Sequence, residues 1–145
     1  MSDVILDSGV FIASLFLETL TSQAKQLIRQ LEAQHSVLHA PTLLRYEFVA
    51  VSRKAVFKQR VSPQEGERIR DALLSYPVTL HFDDALLKRG HALATRFNRP
   101  TAYDAQYLAL AERLSCDFWT ADERLFNAVE RELPHVRWLG SIVSE

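Results

Sequence analysis

Glycine, cysteine and charge of one sign are what this chain has least of. Only four of its 145 residues are glycine: Gly9, Gly66, Gly90 and Gly140. No G-x-G-x-x-G turn, Walker-type phosphate loop or G-x-S-x-G elbow can be assembled from them, which removes the common marks of nucleotide binding and serine hydrolysis. The single cysteine, Cys116, excludes an internal disulfide framework. Five histidines occur, none in the H-E-x-x-H spacing of a zinc protease. No apolar run approaches the roughly 20 residues of a membrane helix. Met1-Ser2-Asp3 leads into neither a basic segment nor a long apolar one, so no secretory signal is read. Lys and Arg number 17 against 18 for Asp and Glu, so a uniformly basic surface for polyanions is not implied, although a local patch can still steer. The expectation is a cytoplasmic enzyme or binding protein that does not enter a membrane.

What is present suits a globular fold. Apolar residues make up 48% of the chain and charged residues 24%. A length of 145 residues is that of one domain, spanning 1–145. Short apolar runs at Val4–Leu6, Val37–Ala40, Val78–Phe82, Phe118–Thr120 and Val136–Leu139 read as buried strands. Between them lie helical patterns. Gly9–Leu17 is one. Thr21 is placed to cap a second, from Ser22 to about Gln34. Pro41 suits the first turn of a third, running to about Gln59. Ser62, Pro63 and Glu65 combine a capping box with proline at the first helical position. Asp83 opens a helix to about Phe97, Pro100 begins the next, and Asp122–Glu132 forms the last. Phe97, Tyr103 and Trp138 are assigned to the core. Strands alternating with helices predict an α/β fold with a mostly parallel sheet covered on both faces. Ligands bind such sheets beyond the carboxyl ends of the strands, which directs attention to Asp7, Thr120 and Asp122.

Four carboxylates stand in unusual company. Asp7 ends an apolar strand. Glu47 has Leu43, Leu44, Ala50 and Val51 at helical neighbour spacing and so faces inward or lines a cleft. Asp104 shares a helix face with Leu108 and Ala111, and Asp122 follows a strand after a short step. Several inward acids would repel one another, and a hard divalent cation removes that conflict. A cluster without His or Cys partners favours magnesium or manganese over zinc. Each acid also has a plainer reading. Asp7 and Asp122 suit helix caps, Asp104 suits the positive end of a helix, and Glu47 can extend into water. Ser8 and Thr120 are turn formers unless the site assembles.

The segments Leu6-Asp7-Ser8-Gly9, Tyr46-Glu47-Phe48, Tyr103 to Ala111 and Trp119 to Leu125 follow an order and spacing that resemble the PIN-domain family, including VapC-type toxins. The resemblance covers nearly the whole chain. It implies a three-layer α/β/α sandwich with a central five-stranded sheet. It further implies that Asp7, Glu47, Asp104 and Asp122 meet at one end of the sheet to bind Mg2+ or Mn2+ and hydrolyse RNA, with Ser8 and Thr120 in support. A homodimer and a small antitoxin partner are implied as well. Some relatives carry another acid one turn after the position of Asp122. Leu125 stands there in this chain, which leaves a second ion in question.

Admitting RNA to an acidic pocket needs cations beside it. Arg99 and Arg124 adjoin the acids and are candidates for phosphate contact, whereas the Arg53, Lys54, Lys58 and Arg60 cluster reads as a solvated helix end. Competing readings are a PIN-like protein that binds RNA or antitoxin with little or no cleavage, a receiver-type phospho-acceptor, and a haloacid-dehalogenase-type phosphatase. The receiver wants a lysine after the last strand, where Gly140-Ser141-Ile142 stands. The phosphatase wants Asp-x-Asp at the first strand, where Gly9 takes the second acidic position.

Overall fold

The computed structural model describes residues 2–144. Five strands form one sheet: β1 (Asp3–Leu6), β2 (Val37–Pro41), β3 (Val78–His81), β4 (Asp117–Thr120) and β5 (Val136–Trp138). Every neighbouring pair is parallel, and the order is β3-β2-β1-β4-β5. Val4, Ile5 and Leu6 of the central strand are all buried, so β1 is covered on both faces and reads as an uninterrupted apolar run.

Seven α-helices flank the sheet among the described residues. They are α1 (Ser8–Leu15), α2 (Thr21–Ala33), α3 (Leu43–Phe57), α4 (Pro63–Leu74), α5 (Asp84–Arg96), α6 (Tyr103–Leu114) and α7 (Glu123–Val129). Helix α6 is buried from Ala105 to Ala111 and packs on α5 and on β1, β2 and β4, while α1 packs on α2 and α3 and α3 on α4. The expected α/β sandwich with a five-stranded sheet is what forms.

The order of the strands sets the location of the site. From β1 the chain moves outward through β2 to β3, then crosses to the other side of β1 to lay down β4 and β5. The direction of winding reverses between β1 and β4. A crevice opens at such a reversal, beyond the carboxyl ends of the strands. Asp7 follows β1 and Asp122 follows β4, and the amide of Asp7 donates to the Trp119 carbonyl at 3.1 Å.

Several boundaries differ from the sequence expectations, each for a local reason. Pro41 is the last residue of β2 instead of the first turn of α3, since a proline at a strand's end forfeits little of the ladder. Thr21 is the first residue of α2 and does not cap it. Its Oγ1 accepts from the Glu18 amide and donates to the Phe16 carbonyl, stitching the loop before the helix. Helix α6 starts at Tyr103, three residues after Pro100, and α7 stops at Val129 instead of reaching Glu132. Tyr103 is exposed and not in the core, while Phe97 and Trp138 are partly buried. The caps at Ser62 and Asp83 form as expected, accepting from the amides of Glu65 and Leu86.

Scarcity of glycine shows at the helix ends. His35, Gln59, Asn98 and Ser115 take the left-handed conformation that glycine usually supplies after α2, α3, α5 and α6. After each, the next amide bonds to a carbonyl five residues back: Ser36 to Leu31, Arg60 to Ala55, Arg99 to Ala94 and Cys116 to Ala111. These Schellman closures satisfy carbonyls that would otherwise be orphaned. The one after α5 delivers Arg99 to the site.

Candidate active site

Asp7, Glu47, Asp104 and Asp122 line one open cavity of about 360 Å³, together with Ser8 and Tyr107. Each acid arrives by a different element. Asp7 sits between β1 and α1, where its Oδ1 accepts from the Val10 amide at 3.2 Å and the Ala121 amide at 3.4 Å. Its Oδ2 accepts from the Thr120 hydroxyl. Asp7 therefore does cap α1, and the cap is what orients the carboxylate. Burial pushes its pKa up to about 6, against the lowering effect of those hydrogen bonds, with the charge of Glu47 adding a further upward push.

Gly9 is required by close approach. A Cβ there would stand 2.9 Å from the Ala121 Cβ and 3.3 Å from the Asp7 Oδ1. Only a residue without a side chain lets the start of α1 come this near the turn after β4. Thr120, fully buried, ties the two strand ends further: it donates to Asp7 and accepts from the Asp122 amide at 3.0 Å.

Glu47 reaches the cavity from α3. Its Oε2 accepts from Ser8 Oγ at 3.1 Å and its Oε1 from the Tyr107 phenol at 2.5 Å. Burial again raises the carboxyl pKa, the Tyr107 and Ser8 hydroxyls pull it down, and the charge of Asp104 raises it. Tyr107 is the site residue that sequence reasoning did not single out. Its signal was present, since it lies three residues beyond Asp104 and so shares its helix face. Burial, followed by the Glu47 charge, raises its pKa, so it stays a neutral donor.

Asp104 stands in the first turn of α6. Its Oδ2 accepts from Arg99, with Nε and a terminal nitrogen both 3.2 Å away. Its Oδ1 is buried and has no hydrogen-bond partner. Arg99 is only 15% exposed at its side chain and is engaged by this acid. Asp122 caps α7, its Oδ1 accepting from the Arg124 and Leu125 amides at 2.9 and 3.2 Å. Arg124 is exposed at the same helix start and forms no ion pair among the described residues. Leu125 is buried against the cavity, and Glu123 is exposed.

The donors are all oxygen, and one buried carboxylate oxygen is orphaned, which fits a hard divalent cation such as magnesium or manganese. As the side chains stand, no group of three or more His, Cys, Asp or Glu among the described residues is close enough to hold an ion.

Comparison with known proteins decides the family. The PIN domain family model matches residues 4–132. This chain belongs to the PIN domain family. It is 30% identical over 136 residues to a VapC ribonuclease of Mycobacterium bovis and to ribonuclease VapC9 of Mycobacterium tuberculosis, covering 90% of this chain and 94% of each relative. A toxin-antitoxin complex from Klebsiella pneumoniae contains a chain of the same fold, with a TM-score of 0.64 at 20% identity, covering 96% of this chain and 99% of that one. No helix among the described residues of this PIN chain is long and apolar enough to cross a membrane.

Proposed function

We propose that this PIN-domain chain is a ribonuclease dependent on Mg2+ or Mn2+ and the toxin of a VapBC-type pair. The observation that carries the reading is the shared cavity of Asp7, Glu47, Asp104 and Asp122, with one buried carboxylate oxygen left without a partner. Relatives named as VapC ribonucleases support it.

Asp7, Asp104 and Asp122 would hold the ion, with Glu47 beside it. When bound, such an ion supplies a more acidic water and neutralises charge gathering on phosphate oxygens. The protein's own groups do the rest. Thr120 and the Val10 and Ala121 amides hold Asp7 in one orientation. Arg99 fixes one oxygen of Asp104, and the other, buried without a partner, would be left to ligate the ion. Ser8 and Tyr107 clamp both oxygens of Glu47, whose raised pKa suits it to take the proton of the attacking water. Water attacks phosphorus in line, the bond to the 3′-oxygen breaks, and the products are a 3′-hydroxyl and a 5′-phosphate. Arg124, exposed at the start of α7 two residues after Asp122, is the basic side chain best suited to a neighbouring phosphate.

The same reading supplies the partners. RNA is the substrate, and a small antitoxin would insert a basic side chain among the acids. The chain is proposed to work as a homodimer in the cytoplasm. The test is cleavage of end-labelled single-stranded RNA by purified protein with Mg2+, with Mn2+ and with chelator. Metal-dependent cleavage leaving 5′-phosphates is expected. Metal binding with no cleavage of any RNA would instead favour the reading as a binding protein.

A further inference from the structure

A second groove, of about 180 Å³, lies beside the acidic cavity and is lined by Thr42, Tyr46, His81, Phe82, Leu87 and Gln106 among others. The two share a wall. Tyr46 and Glu47 are consecutive on α3, and Gln106 and Tyr107 are consecutive on α6. In each pair the first residue lines the groove and the second lines the cavity. Two aromatic rings stand open at the groove, Tyr46 at 74% and Phe82 at 69% exposure.

Gln106 is the opposite case, only 8% exposed. Its Nε2 donates to the Ala102 and Leu87 carbonyls at 3.3 and 3.4 Å, which leaves the acceptor end as the unused one. That Oε1 is buried with no partner. Gly90 makes room for the amide, since a Cβ there would come within 2.2 Å of Nε2. A buried acceptor without a donor destabilises the fold unless something else satisfies it. His81 is held on the far side by the ring of His39, Nδ1 to Nε2 at 2.9 Å.

We propose that this groove takes the nucleobase next to the cleaved phosphate, stacked against Tyr46 and Phe82, with its exocyclic amino group donating to Gln106 Oε1. The inference rests on the ribonuclease reading of the adjoining cavity. Single-stranded RNA is recognised by splaying bases onto aromatic rings and bonding their edges. A strand whose phosphate lies in the cavity has its next base within reach of the shared wall. The unmet group is an acceptor, so adenine, cytosine and guanine match it through an exocyclic amino group at the base edge, whereas uracil's one base-edge donor, N3–H, is set between two carbonyl oxygens that oppose Oε1.

The test is fluorescence anisotropy of labelled decamers of adenosine, cytidine and uridine, with chelator present so that no cleavage occurs. The wild-type protein is expected to bind the adenosine and cytidine decamers about fivefold or more tighter than the uridine decamer, and Tyr46→Ala and Phe82→Ala to weaken that binding by about tenfold. Both rings are exposed, so an unchanged melting temperature is expected to accompany the loss. Gln106→Met is expected to erase the preference for amino-bearing bases while leaving uridine binding as it was. Equal binding of all three decamers, no binding of any, or affinity untouched by the ring variants overturns the proposal. Sedimentation of a wild-type dimer that Tyr46→Ala and Phe82→Ala turn to monomers, with RNA affinity unchanged, overturns it in favour of a second copy of this chain. Because binding is read without turnover, a protein that shows this base preference but never cleaves RNA removes the ribonuclease reading and leaves the groove standing.

Discussion

Carboxylates meet opposite treatment in two parts of this molecule. Around the outer surface of α5 and α6 three acids are matched with arginines: Asp83 with Arg113, Glu112 with Arg89, and Glu132 with Arg96. Hydrogen bonding from its arginine holds Asp83 down to about 2 and lowers Glu112 below its ordinary value. In the cavity, Asp7 and Glu47 receive only hydroxyls and amides, and burial pushes both upward. The surface acids are in their most stable charge state. Among the described residues Asp7 and Glu47 form no ion pair, and of the four cavity acids Asp104 alone pairs with an arginine, Arg99. Charge kept buried without a counterion marks a site built for something brought from outside.

Breaking the cavity side should produce the largest effect. Glu47→Gln removes the proton acceptor while keeping the shape, and kcat for RNA cleavage is expected to fall by about a hundredfold or more. Wild-type turnover in this variant would show that Glu47 is only a spectator.

Asp7 separates function from stability. Its folded-state pKa lies near 6, above the ordinary 3.8, so the folded protein favours the protonated form. The stability tied to that proton is fully present below about pH 4 and is lost as pH rises through 6. In chelator, Asp7→Asn should therefore melt above wild type at pH 8, by a gain on the order of 2–3 kcal/mol at about 1.4 kcal/mol per pH unit. At pH 4 the gain should disappear. A variant less stable than wild type at pH 8 would mean that the hydrogen bonds from Thr120, Val10 and Ala121 outweigh the burial of charge.

Much of this contrast was legible in the sequence, and the unread parts share a cause. The strand pattern, the parallel sheet and the carboxyl-end location of Asp7 and Asp122 follow from short apolar runs alternating with helices. Glu47 could be placed at a cleft because its helical neighbours are apolar. What did not show was how hydroxyls are shared. Thr120 reads as a cap from its neighbours and as a support of the acids through the family resemblance, and the meeting of β1 and β4 supplies the bond itself, a donation to Asp7. Tyr107 lies 60 residues from Glu47, a separation no local pattern bridges. Adjacency in sequence makes Arg99 a candidate for phosphate contact but does not reveal its pairing with Asp104, which the Schellman turn at Asn98 sets up. Pro41 and Thr21 depart from expectation because each residue type serves two neighbouring roles, and tertiary context chooses between them.

Tyr107→Phe sharpens the comparison at smaller scale. It removes one donor from Glu47 and leaves the ring that stacks on Phe118 at 5.7 Å between centroids. An approximately tenfold loss in kcat with an unchanged melting temperature is expected. The acidic limb of the pH–rate profile should also move upward, because a hydrogen bond that lowers the Glu47 pKa is gone. A shift of that limb in the acid direction would contradict the assignment.

The smallest effect belongs to the surface. Asp83 has a folded pKa near 2, below its ordinary value, so its contribution to stability is present above about pH 4 and is lost as pH falls toward 2. Arg113→Met should make the protein slightly more resistant to the change from pH 4 to pH 2 relative to its own neutral stability. An acid response identical to that of the wild type would show that this pair contributes nothing measurable to stability.

The central claim is that the cavity acids form one cation site, and Mn2+ titration of the metal-free protein by calorimetry addresses it most directly. The account predicts saturable binding to the wild type, weakened at least about tenfold by Asp104→Asn even though that variant stays folded. Absence of saturable binding, or equal affinity in the two proteins, would contradict it.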